Sequence, residues 1–181
     1  MELKTFDIQF VGLKVGKHQF QYEVDNTFFE SFDFDEFNGA DIHIGATLDK
    51  RSTIMDLHLE AKGAININCD VTNIPFDLPI STSMDLVVKF GDEFNDENED
   101  LLVLQHGDYK MNIAQYVYEM LVLAVPAKKE HPGIEDGTLE SDILDKLREL
   151  SVDEPVENKK QNKEVDPRWD ALKKYKTDNN L

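Results

Sequence analysis

Between Asp41 and Leu59 the chain alternates apolar and polar residues twice over, and this period of two restricts the fold more than any other feature. Ile42, Ile44, Ala46 and Leu48 occupy every second position, and Met55, Leu57 and Leu59 resume the pattern after Asp49-Lys50-Arg51-Ser52. Alternation puts one set of side chains on one face of a strand, so both runs bury a single face against a common core. Two such runs across a short polar break read as a β-hairpin. With Lys50 and Arg51 as a two-residue turn, Ile42 faces Leu59, Ile44 faces Leu57 and Ala46 faces Met55, apolar against apolar throughout.

The rest of the first half extends this pattern. A third strand, Ile65 to Val71, follows a turn at Lys62-Gly63, and a fourth, Ile80 to Phe90, carries Met84, Leu86, Val88 and Phe90 on one face. Leu3 to Phe10 and His18 to Val24 form another pair across Gly12 to Gly16. Gly91 to Asp100 holds six carboxylates and no cation, the composition of a mobile, solvated loop, before Leu101 to Gln105 returns as a strand and Gly107-Asp108 turns the chain. Ile113, Val117, Met120, Leu121 and Ala124 recur at helical spacing, with Asn112 and Gln115 placed as a capping box and Pro126 as the stop. The fold expected is α+β: an antiparallel sheet, or a partly open barrel, of about six to seven strands with one packed helix.

Beyond Pro126 the composition changes. Residues 1–126 read as the β-rich domain with its covering helix, and 127–158 as an acidic linker with one amphipathic helix near Ser141 to Leu150, where Ile143, Leu147 and Leu150 share a side. Residues 159–181 read as a basic tail, and the whole C-terminal region as mostly disordered with short helices. Asp166 caps the last of these, with Pro167 at its first position. From Lys159 to Lys176 seven cations stand against three anions, a net of +4 in a chain of −18, which leaves −22 for the remainder. A body of that charge repels phosphates, so any contact with RNA falls to the tail. There Arg168, Lys173 and Lys174 would neutralise phosphates while Trp169, the only tryptophan, stacks or packs. Trp169, Leu172 and Tyr175 give the segment an apolar edge beside its basic one, so it either docks on its own sheet or folds on a partner.

The strand ending Ile65-Asn66-Ile67-Asn68-Cys69-Asp70, the phrase Ile113-Ala114-Gln115-Tyr116-Val117-Tyr118-Glu119 leading into Leu121-Val122-Leu123-Ala124-Val125-Pro126, and the closing Asp166-Pro167-Arg168-Trp169 together resemble the YceD-type family of large ribosomal RNA accumulation proteins. The resemblance rests on the order and spacing of these phrases across most of the chain. It implies a cytoplasmic bacterial factor needed for normal levels of large-subunit ribosomal RNA, without a known catalytic site. The family commonly has a second cysteine three positions after the first; here that position is Thr72. A thiolate metal site needs two or more soft ligands, so no metal or redox role is carried over from that pair.

Other chemistry finds little footing. His43 and His58 face each other in the register above, but two imidazoles without a third ligand read as a solvated cross-strand pair. Cys69, closing an apolar alternation with no cation or helix start beside it, reads as a small core side chain. Asp92, Asp96 and Asp100 lack the glycine turn and terminal glutamate of a calcium loop. There is no P-loop, dinucleotide fingerprint or Gly-x-Ser-x-Gly elbow. No stretch approaches the ~20 apolar residues of a membrane helix, and no basic-then-apolar leader opens the sequence. One cysteine fits a reducing cytoplasm.

The reading is therefore a noncatalytic, cytoplasmic factor in large-subunit biogenesis, with no cofactor and no metal. Its expected partner is large-subunit rRNA or a pre-ribosomal particle. The alternative is an acidic, chaperone-like protein that shields a basic ribosomal protein, with Glu93 to Asp100 in the contact surface.

Overall fold

The computed structural model describes residues 3–98 and 100–150. The described residues up to Asp145 form one compact unit, and a second begins at Lys146. A 3-10 turn over Leu3–Phe6 opens the first unit, followed by β1 (Asp7–Gln9), β2 (Gly16–Asp25), α1 (Asn26–Glu30), β3 (Gly39–Lys50), β4 (Ile54–Asn68) and β5 (Pro75–Gly91). Then come β6 (Asn95–Asn98), β7 (Leu101–Gln105), β8 (Lys110–Asn112), α2 (Ala114–Ala124), α3 (Pro132–Glu135) and α4 (Asp142–Leu150). Six strands make one open sheet in the order β2-β3-β4-β5-β7-β6, and β1 with β8 forms a separate two-stranded ribbon. The expected α+β architecture is present, and the sheet does not close into a barrel.

Alternation sets the core as anticipated. Ile42, Ile44, Ala46, Leu48, Leu57 and Leu59 are all buried on one face, and α2 packs Val117, Met120 and Leu121 over β5 on that same core. The helical stripe and the stop before Pro126 both hold. Among the described residues no helix is long and apolar enough to cross a membrane.

The hairpin register differs. Ala46 pairs with Leu59, Leu48 with Leu57 and Lys50 with Met55, while the Arg51 N–H donates to the Ile54 carbonyl at 2.9 Å. The two-residue turn is therefore Ser52-Thr53, two positions later than the sequence expectation. Moving a turn by two residues leaves every side chain on its face, so alternation alone does not distinguish the two registers. The observed one sets large beside small, with Ile44 opposite Ala61 and Ala46 opposite Leu59.

Lys62-Gly63 is not a turn. β4 runs straight through it; Ile65 to Asn68 of the expected third strand form the end of β4, and Cys69 to Val71 fall in the turn that follows. A Cβ on Gly63 would run into the Asp41 carbonyl oxygen and lie 2.7 Å from the Ile42 Cα, so glycine serves close approach of two backbones. The expected pairing of the two N-terminal segments is also replaced. β1 pairs with β8, Ile8 opposite Met111, whereas β2 pairs with β3. The linker breaks the hairpin, because Phe10 and Val11 donate their N–H groups to the Tyr109 carbonyl and Gly16, the first residue of β2, takes φ +129°.

Two further corrections lie near α2. The acidic stretch expected as a loop contains β6, antiparallel to β7 with Asn95 opposite Val103, and β7 runs parallel to β5. The capping box does not form: Gln115 bonds Glu119 at 2.6 Å, and Asn112 instead accepts from the Ala114 N–H at 3.0 Å while donating to the Leu3 carbonyl and the Asp7 carboxylate. Asn112 thereby ties the helix start to the N-terminus. α1, capped at Asp25 through the Phe28 N–H, opens an aromatic cluster that meets α2 at Tyr118. Phe32 stacks on Tyr118 at 4.4 Å, and Phe29 meets Phe37 edge-on at 4.9 Å.

Candidate functional site

Arg168, Trp169, Lys173 and Lys174 lie outside the described residues, as does the Asp166-Pro167 start of their segment. The described cations nevertheless bear on their role. Twelve of the nineteen Lys and Arg residues precede residue 149, and the other seven stand between Lys159 and Lys176. Several of the twelve serve the fold. Lys50 donates to the carbonyls of Phe10 and Leu13 at 2.8 and 2.9 Å, Arg51 pairs with Asp56 at 2.6 Å, and Lys110 pairs with Asp7 at 2.6 Å. Hydrogen bonds from Lys110 and then Asn112 hold the Asp7 carboxyl below its ordinary value.

The histidine pair dissolves with the register. His43 sits opposite Lys62 and Glu23, and His58 opposite Thr47 and Asp85. His58 Nδ1 lies 2.6 Å from Asp85 Oδ1, and its Nε2 lies 3.4 Å from Glu60 Oε1. The Asp85 bond raises the imidazole pKa, burial opposes it, and the Glu60 bond adds to the rise. Among the described residues no three or more His, Cys, Asp or Glu side chains converge to hold a metal ion.

Cys69 is buried, as its apolar alternation implies, yet it stands in a more polar setting than the sequence indicates. It opens the turn joining β4 to β5, closed by Cys69 N–H to the Ile74 carbonyl at 3.0 Å and Asn73 N–H to the Cys69 carbonyl at 2.8 Å. Burial pushes the thiol pKa up. Hydrogen bonds from the Thr72 side chain and from the backbone N–H groups of His131, Thr72 and Val71 outweigh that and bring it below the ordinary value. Thr72, at the position of the missing second cysteine, is itself buried. Asp70 fastens the turn to the segment after α2, accepting from the Lys129 N–H at 2.7 Å.

A broad concavity lies elsewhere, between β5, the β6–β7 hairpin and α2. It is a groove of about 540 Å³ with Met84, Tyr118, Met120 and Leu123 along it and Asp96, Glu97, Asp100 and Glu119 at its margins. A smaller hollow continues on the far side of Tyr116 and Asp96, beside Phe94. Burial, followed by the charges of Asp96 and Glu119, pushes the Tyr116 phenol pKa up. The sequence displays the carboxylates without their arrangement. Asp96 and Glu119 meet only through the fold, and β6 itself, Asn-Asp-Glu-Asn, has no apolar alternation to announce a strand.

An open α+β sheet, covered by one helix and edged by an acidic hairpin, defines a small domain whose accessible chemistry lies at its rim. The family model described as large ribosomal RNA subunit accumulation protein YceD matches residues 57–176, and the chain belongs to this family. The matched span begins inside β4 and takes in Arg168, Trp169, Lys173 and Lys174. Comparison with curated proteins and with solved structures returns no match.

Proposed function

We propose that this protein is a noncatalytic, cytoplasmic factor in large ribosomal subunit biogenesis. It supports accumulation or processing of large-subunit rRNA by contacting precursor RNA or an RNA–protein intermediate through Arg168, Trp169, Lys173 and Lys174. The observation that carries this reading is charge segregation within a family named for large ribosomal RNA accumulation. Seven cations gather in 159–176, inside the matched span, while the remainder of the chain is at −22. Phosphate contact favours that segment over the body for simple Coulombic reasons, and a tryptophan among the cations adds a surface on which a base stacks.

Filter binding of the full chain to a large-subunit precursor fragment, measured across a salt series, tests this. Replacing Arg168, Lys173 and Lys174 together with alanine is expected to flatten the salt dependence by about 0.7 to 0.9 in slope for each phosphate no longer neutralised. Trp169→Ala should weaken binding with the slope unchanged. An unaltered slope and affinity in the triple variant would remove these residues from the function.

The acidic groove favours a second reading, an acidic body that shields a basic ribosomal protein before assembly. Under it, retained partners survive RNase treatment and dissociate as salt rises.

A further inference from the structure

We infer that the groove between α2 and the β6–β7 hairpin is a docking site for a basic polypeptide segment with an apolar anchor, supplied by a protein partner. The inference deepens the second reading by naming its site, and it is independent of the tail.

The floor and the walls make opposite demands, and one class of ligand meets both. Along α2, Met120 and Leu121 are buried, whereas Leu123 is 83% exposed on the stretch that lines the groove. A leucine left this open, next to Met84, Tyr118 and Met120, presents an apolar strip whose removal from water is favourable. The margins hold four carboxylates, Asp96, Glu97, Asp100 and Glu119, and no Lys or Arg lines the groove among the described residues. Like charges gathered beside an apolar floor repel one another, and a cationic ligand relieves that repulsion as it binds.

Ligand classes separate on these grounds. RNA brings phosphates to a wall of carboxylates and is disfavoured by sign. A bare cation would answer the charge and leave the apolar strip in water. A Lys- or Arg-rich segment with one or two large apolar side chains answers both, anchoring in the floor while its cations reach Asp96, Glu97, Asp100 and Glu119. The groove volume of about 540 Å³ suits an anchor of that size.

Fluorescence anisotropy of the full chain with a labelled synthetic peptide tests the proposal. The peptide is rich in Lys and Arg and places Leu and Trp on one helical face; a scrambled peptide of the same composition is the comparator. Two double variants carry the same change in net charge. Asp96→Lys/Glu119→Lys alters the groove, and Glu23→Lys/Asp41→Lys alters β2 and β3 at the opposite end of the sheet order. Leu123→Ser removes the exposed apolar contact.

The groove pair and Leu123→Ser should each weaken binding at least about tenfold, roughly 1.4 kcal/mol. The distal pair should weaken it far less, and the scrambled peptide should bind more weakly than the ordered one. Equal losses in the two charge pairs would overturn the groove while leaving the acidic-body reading intact. Failure of every basic peptide to bind would sink both. A scrambled peptide that binds as tightly would remove the anchor. Binding that emerges only when the chain is truncated after Asn158 would make this protein's own tail the occupant and overturn the partner.

Discussion

The centre of the sheet and its β6 rim are built from opposite materials. In β3 and β4, inward side chains are buried with almost no remaining exposure, outward ones are polar, and cross-strand neighbours alternate in size. Every residue there serves packing, and the one glycine that breaks the alternation does so because two backbones touch. At the rim, β6 is four residues long, its outward groups are carboxylates, and α2 leaves Leu123 in solvent beside them. Burial density concentrates stability in the centre. Uncompensated charge beside exposed apolar surface adds nothing to stability, and this is the surface on which the docking proposal rests.

That contrast breaks most visibly at Gly63. Gly63→Val should abolish cooperative folding in a chemical denaturation series, whereas Gly45→Val, one strand away with nothing within 4 Å of its added Cβ, should leave a cooperative transition. Leu57→Ala in the centre should cost about 2–5 kcal/mol in the same assay. At the rim, Asp96→Asn with Glu119→Gln should leave the unfolding midpoint unchanged or slightly higher, since removing like charges relieves repulsion. A rim neutralisation that destabilised as much as Leu57→Ala would erase the distinction between the two regions.

The smallest effect belongs to His58. Its bond to Asp85 raises the folded pKa, so the stability it contributes is fully present below the ordinary value of 6.5 and fades as pH climbs through the folded value. The side chain is 42% exposed, which keeps the contribution small. An NMR titration should place the His58 pKa above 6.5, and Asp85→Asn should bring it back toward that value. The melting temperature gap between the two proteins should be widest below pH 6.5 and close above it.

Period-two alternation made β3, the first half of β4 and β7 legible in the sequence, and helical spacing made α2 legible. What stayed hidden has physical causes. Alternation repeats every two residues, so it fixed which face of β3 and β4 is buried and left the turn free to sit at Ser52-Thr53. Gly63 carries the signal of a turn because glycine serves both tight turns and close backbone approach, and only the neighbouring strand distinguishes them. The cluster of Phe28, Phe29, Phe32, Phe34 and Phe37 follows neither period; its order comes from Tyr118 on a distant helix. The groove is hidden for the same reason, since Met84, Asp96 and Leu123 belong to three elements. The resemblance read from short phrases and their order did identify the family.

Separation of the tail from the body is the account's central claim, and sedimentation of large-subunit precursors in a gradient tests it most directly. The full chain should travel with the precursors, and a chain truncated after Asn158 should remain at the top of the gradient while keeping the full chain's melting temperature. A truncated chain that still travels with the precursors to the same extent would contradict the account.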